Sequence, residues 1–170
     1  MTHWPLGGAV AFVSGCVVEQ VMGKVLIVDD ERTIGDYLAN LITRLGHQVE
    51  VTLNASDTLA KLDEGGFQLV IADIRLPDAP DAQAWVTRLC RKAKDIPVVL
   101  ISGAPSAELD ACAKANGVLA FLSKPFELVF IKNILQNVFQ NNPETVTCNV
   151  PEKETNHGHR QNQVRARVLR

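Results

Sequence analysis

Four features are scarce in this 170-residue chain: cysteine, aromatics, excess positive charge and long apolar runs. The four cysteines stand at 16, 90, 112 and 148, with no C-x-x-C spacing. That excludes a disulfide framework or a zinc ribbon and fits free thiols in a reducing compartment. Aromatics make up 5% of the chain, and 17 Lys+Arg face 19 Asp+Glu for a net charge of −2. No bulk positive field is available to hold a nucleic acid. The uncharged stretch from Leu6 to Val18 falls short of the roughly 20 apolar residues of a membrane-spanning helix. Val13-Ser14-Gly15-Cys16 is similar to a lipoprotein cleavage site, but no Lys or Arg precedes it, so the positive region of an export signal is missing.

What is present reads as a soluble globular protein, with 46% hydrophobic and 21% charged residues. The charge is unevenly spread. Residues 1–23 hold one acid and no base, residues 24–140 hold 15 acids and 12 bases, and residues 141–170 hold 3 acids and 5 bases. Residues 1–22 are expected to be a poorly ordered extension, with Met22-Gly23-Lys24 a natural start in its own right. Residues 141–170 have almost no apolar periodicity and are expected to be a disordered tail. They contain no helix-turn-helix, zinc-ligand or aromatic-basic pattern of a DNA-binding output domain. One folded domain, 23–140, is expected between them.

That middle region alternates strand and helix. Val25–Val28, Leu69–Ala72 and Val98–Ile101 are short continuous apolar runs, suited to strands buried on both faces. His47–Leu53 alternates like a strand nearer the edge, and Val118–Leu122 is a fifth strand. Between them, Ile34, Leu38, Leu41, Ile42 and Leu45 recur at helical spacing up to Gly46. Leu59 and Leu62 mark a helix closed by Gly65-Gly66. Trp85, Val86 and Leu89 mark a third helix, Ser106–Ala115 a fourth, and Phe126 to Val138 a fifth. Five such units predict an α/β domain: a parallel sheet with helices on both faces. Ligands bind such sheets at the carboxyl ends of the strands, where the strand order reverses.

The residues at those ends carry chemistry. Asp29 and Asp30 follow the first run, Asp73 the second, Ser102 the third, and Lys124-Pro125 the fifth strand. Each alone has a plain structural explanation. Asp30 or Thr33 can cap a helix, Asp73 can belong to a turn, and Ser102-Gly103 is an ordinary turn. Together they are specific. Three carboxylates in one crevice repel one another unless a cation is present, and hard oxygen ligands with open positions suit Mg²⁺. A hydroxyl and an ammonium facing that site suit a phosphoryl group, and a carboxylate can be its nucleophile.

At these residues the chain resembles a bacterial response-regulator receiver domain, of the stand-alone type. Lys24-Val-Leu-Ile-Val-Asp29-Asp30-Glu31 is similar to the family's opening, and Ile71-Ala-Asp73-Ile-Arg-Leu-Pro77 to its phosphoacceptor strand. Val99-Leu-Ile-Ser102-Gly103 is similar to its hydroxyl strand, and Phe121-Leu-Ser-Lys124-Pro125-Phe126 to its lysine motif.

The resemblance implies a flavodoxin-like sheet of strand order 2-1-3-4-5. It implies Asp73 as phosphoacceptor from a sensor histidine kinase or histidine phosphotransfer protein. Mg²⁺ would be held by Asp29, Asp30, Asp73 and the backbone carbonyl of Arg75. Lys124 and Ser102 would bind phosphoryl oxygens, Ser102 and Phe121 would form a switch, and Lys124-Pro125 would be cis. The output would be a changed surface on the fourth helix, fifth strand and fifth helix, read by a downstream protein. The resemblance also implies a cytoplasmic phosphoprotein of a two-component system, not an enzyme.

The sequence departs from the family at Asp81, where a Gly is usual, and in an acidic loop, Asp78-Ala79-Pro80-Asp81, whose Pro80 can serve a first helical turn. Arg75 and Ala104 occupy positions that tune phosphoryl lifetime in the family. Two other functions remain: an unphosphorylated pseudo-receiver, and a small aspartyl-phosphate phosphatase, whose Asp-x-Asp pattern Asp29-Asp30-Glu31 does not supply.

Overall fold

Each apolar run that precedes an acid or a hydroxyl in the sequence is a buried parallel strand. The structure, a computed structural model, describes residues 10–13, 16–19 and 22–140. The elements are β1 (Val10–Val13), β2 (Cys16–Glu19), β3 (Lys24–Val28), α1 (Arg32–Arg44), β4 (Gln48–Thr52), α2 (Ala55–Glu64), β5 (Leu69–Asp73), α3 (Ala82–Ala93), β6 (Val98–Ser102), α4 (Ala107–Ala115), β7 (Ala120–Ser123) and α5 (Leu128–Gln140).

The main sheet is five-stranded and parallel, in the order β4-β3-β5-β6-β7. Counted within that sheet, this is the expected order 2-1-3-4-5. The order reverses between β3 and β5, so the crevice for a ligand opens where Val28 and Asp73 end their strands.

The strands' continuous apolar runs follow from burial on both sides. Leu26 and Val28 of β3 join Val70 and Ala72 of β5 and Leu100 of β6 under α2 and α3, with Leu59, Leu62, Val86 and Leu89. The alternate residues, Val25, Ile27, Leu69, Ile71, Val99 and Ile101, pack under α1 and α5 against Leu38, Ile42, Ile131 and Leu135. Side chains alternate across a strand, so a run without polar breaks feeds both layers at once. Gly65 and Gly66 end α2 with φ of 77° and 84°, a region that favours glycine.

Residues 1–22 hold an element that the sequence pattern does not announce. β1 and β2 form an antiparallel hairpin of their own, pairing Val10 with Glu19 and Val13 with Cys16. Val10–Val13 and Cys16–Val18 are apolar at successive positions, with Glu19 ending β2, so no alternation marks either strand. The tail expected at 141–170 lies outside the described residues.

Opposite the crevice, where β3 and β4 begin, His47 is buried. Its Nδ1 accepts from the Gly23 N–H at 3.2 Å, and its ring stacks on Phe139 of α5 at 4.4 Å. A side chain on Gly23 would collide with the Phe139 ring, whose nearest atom would be 1.9 Å away, so only glycine fits this close approach.

Burial lowers the His47 pKa below its ordinary 6.5, so the folded state prefers neutral imidazole and the unfolded chain binds the proton first. Stability is therefore complete above that value and falls as pH drops below it. Urea unfolding at pH 7.5 and 5.5 should show a loss of up to about 1.4 kcal/mol per pH unit. A His47→Gln variant should lose that part of the slope, and an unchanged slope would exclude His47 as its source.

Candidate functional site: an acidic pocket at the carboxyl ends of the strands

The pocket is assembled from four strand ends. Asp29 and Asp30 follow β3, Asp73 is the last residue of β5, Ser102 is the last of β6, and Lys124 follows β7. Asp29, Asp73 and Ser102 are buried at 1%, 5% and 0% exposure, whereas Asp30 is exposed. One carboxylate oxygen from each of Asp29, Asp30 and Asp73 lies within 4.8 Å of the others.

Lys124 joins the two buried acids. Its Nζ donates to Asp73 Oδ2 at 2.5 Å and to Asp29 Oδ2 at 3.0 Å, and it reaches Glu31 Oε1 at 3.5 Å. The peptide bond between Lys124 and Pro125 is cis. The remaining carboxylate oxygens are held by backbone: Asp29 Oδ1 accepts from Glu31 N–H at 2.9 Å, and Asp73 Oδ1 from Arg75 N–H at 2.8 Å. Neither Asp30 nor Thr33 caps α1. The cap residue is Glu31, with no side-chain cap bond, and its N–H serves to orient Asp29.

The electrostatics follow from burial. Desolvation raises the Asp29 carboxyl above its ordinary value and Asp73 adds to the rise, while Lys124 and the Glu31 N–H oppose it without reversing it. Burial alone would pull the Lys124 ammonium down, but its bonds to Asp73 and Asp29 outweigh that and hold it above the usual lysine value. The pocket thus keeps a cation against Asp29, whose buried carboxyl is costly to ionise. The donor set fits Mg²⁺: hard carboxylate oxygens on one side and an exposed acid, Asp30, on the solvent side.

Ser102 is tied to the same place by its backbone, whose carbonyl accepts from Lys124 N–H at 2.8 Å. Its hydroxyl accepts from Ala104 N–H at 3.1 Å. Phe121 is half-buried and packs against the core layer under α2 and α3.

The acidic loop after β5 has a structural explanation. Asp81 caps α3, its carboxylate accepting from the Gln83 and Ala84 N–H groups at 3.0 Å each. The helix begins at Ala82, so Pro80 stands before the cap and does not occupy a first helical turn. Asp78 reaches across to the start of α2, accepting from Ala55 N–H at 2.8 Å and from the N–H and hydroxyl of Ser56 at 2.9 Å each.

Partial desolvation opposes ionisation of Asp78, but these donors prevail and hold its carboxyl below the ordinary 3.8. The stability from this link is therefore present above that value and lost as pH falls through the lower folded-state one. Asp78→Ala should cost about 1 kcal/mol near neutral pH, read as a lower urea midpoint. The difference from wild type should shrink in acid, and an equal midpoint at pH 7 would show the link to be worth nothing.

Pattern reasoning passes over two participants. Glu31 has no motif of its own beyond following two aspartates. Trp85 of α3 sits at a core position, and its indole N–H donates to the Asp73 backbone carbonyl at 3.1 Å.

An acidic, lysine-bridged pocket at the switch point of a flavodoxin-like sheet defines a class of domain, and the comparisons agree with it. A family model described as the response regulator receiver domain matches residues 25–136, and the chain belongs to that family. The DNA-binding transcriptional regulator NtrC of Azospirillum brasilense is 27% identical over 118 residues, which cover 69% of this chain and 24% of that protein. The transcriptional regulatory protein CusR of Escherichia coli is 32% identical over 105 residues, covering 61% of this chain and 45% of CusR. The chain thus spans about a quarter of the NtrC regulator and under half of CusR. Among solved structures, the chemotaxis protein CheY4 of Vibrio cholerae superposes with a TM-score of 0.62 at 28% identity, over 69% of this chain and 99% of CheY4. Among the described residues no helix is long and apolar enough to cross a membrane.

Proposed function

We propose that this chain is a phosphorylation-controlled signalling module in which Asp73 accepts a phosphoryl group from a phosphohistidine on a sensor kinase or phosphotransfer protein. The observation that carries this reading is Lys124 Nζ bridging the two buried carboxylates of Asp29 and Asp73. A carboxylate oxygen of Asp73 forms the new O–P bond as the P–N bond to the donor imidazole breaks, and the imidazole leaves with its electron pair and takes up a proton. Lys124 and Ser102 hold the phosphoryl oxygens. Asp29, Asp30, Asp73 and the Arg75 carbonyl would hold Mg²⁺, which offsets the charge developing on the transferring group.

The acyl phosphate adds a charge of roughly −1.5 to −2 to the pocket. Lys124 is drawn toward the phosphoryl oxygens, Ser102 exchanges its Ala104 bond for one of them, and Phe121 follows. The face of α4, β7 and α5 then changes, and a partner protein reads it.

Beryllofluoride with Mg²⁺ tests this reading without a kinase. Amide resonances of Ser102, Gly103, Phe121 and Lys124 should shift together, and those at the far end of β3 and β4 should not. Spectra that do not respond would favour a pseudo-receiver that binds partners without phosphorylation.

A further inference from the structure

The Trp85 indole holds the backbone on which the phosphoacceptor stands. Trp85 is 2% exposed and packs in the layer with Val28, Ala72 and Ile74. An indole N–H can only donate, and once buried it needs an acceptor. The acceptor here is the carbonyl of Asp73, at 3.1 Å.

That carbonyl and the N–H of Ile74 belong to one planar peptide unit. The other side of the same plane is also held, because Ile74 N–H donates to the Ile101 carbonyl of β6 at 3.0 Å. One peptide unit is therefore gripped from α3 on one side and from the neighbouring strand on the other. Its orientation sets ψ of Asp73 and φ of Ile74, and through them the path to Arg75. Arg75 N–H in turn orients the Asp73 carboxylate at 2.8 Å.

We propose that Trp85 is a positioning residue: through the Asp73–Ile74 peptide it fixes both the attacking carboxylate and the Arg75 carbonyl. This inference rests on the function proposed above. α3 is the means of delivery. The Asp81 cap sets its first turn, and the Trp85 backbone N–H closes on the Asp81 carbonyl at 2.9 Å, so cap, indole and phosphoacceptor lie on one connected segment.

The test compares Trp85→Phe with a core control, Leu89→Ala, in the full chain well below the unfolding temperature. Trp85→Phe keeps an aromatic body and removes the donor. Leu89 is fully buried in the same layer, one turn further along α3. Trp85→Phe should bind Mg²⁺ about 10-fold more weakly, the scale on which an orienting partner acts on a metal ligand. It should also take phosphoryl from acetyl phosphate about 10-fold more slowly and exchange the Ile74 amide faster. Leu89→Ala should lower the unfolding temperature and leave Mg²⁺ affinity unchanged.

Wild-type Mg²⁺ affinity and rate in folded Trp85→Phe would overturn the proposal. If that variant does not fold, β-(3-benzothienyl)alanine in a Trp4→Phe background replaces the N–H with sulfur at nearly constant shape. It should show the same loss, and wild-type behaviour there would overturn the proposal equally. If the wild-type chain takes no phosphoryl, the proposed function fails, while Mg²⁺ affinity and Ile74 exchange still decide the role of Trp85.

Discussion

Lys124→Met should lower the stability of the metal-free chain by about 3 kcal/mol at neutral pH, the scale of removing one partner from a buried ionic cluster. The Lys124 side chain is 16% exposed, and those of Asp29 and Asp73 are 2% and 6% exposed. Without the ammonium, two buried carboxylates face each other with Asp30 beside them, and no other cation reaches them among the described residues. Methionine nearly keeps the volume, so the loss is electrostatic and not a cavity. Mg²⁺ should return most of it: an ion at 100 times its dissociation constant stabilises by about 2.7 kcal/mol. Urea midpoints with and without Mg²⁺ measure both effects. Equal midpoints for wild type and Lys124→Met would show that the cluster carries no such strain.

The second large effect has opposite signs for binding and for folding. Asp29→Asn combined with Asp30→Asn should weaken Mg²⁺ binding by at least about 100-fold, beyond what loss of an outer partner costs, and should stop phosphoryl uptake. The same double variant should be more stable than wild type in the absence of Mg²⁺, by on the order of 1 kcal/mol. The reason is the raised Asp29 pKa: ionising a carboxyl that is buried beside Asp73 works against the folded state. Sites built for a cation carry this penalty when the cation is away. A variant that loses both Mg²⁺ binding and stability would instead mark Asp29 as a structural residue.

The strands and the pocket were legible in the sequence for the same physical reason. Val25–Val28, Leu69–Ala72 and Val98–Ile101 are apolar without interruption because both faces of each strand are covered. The first polar residue after each run therefore falls at the sheet's carboxyl edge. Asp29, Asp73 and Ser102 could be placed from that alone, whereas Lys124 lies one residue further on, after Ser123 at the end of β7.

What stayed hidden depends on contacts that the sequence order does not imply. Asp78 reads as excess charge in a loop, because the helix end that it caps begins 23 residues earlier, at Ala55. Asp81 in place of a glycine reads as a defect until its carboxylate is seen to cap α3. Trp85 has the spacing of a core residue and is one. Its polar edge becomes visible only when the Asp73 carbonyl stands against it. The hairpin of β1 and β2 lacks the alternation that would have announced it.

The most direct test of phosphoryl acceptance at Asp73 is intact-mass measurement of the full chain after incubation with acetyl phosphate and Mg²⁺. The expected result is one adduct of about 80 Da that hydroxylamine removes, as an acyl phosphate requires, and that is absent from Asp73→Asn. An adduct that persists in Asp73→Asn, or none at any donor concentration, would contradict it.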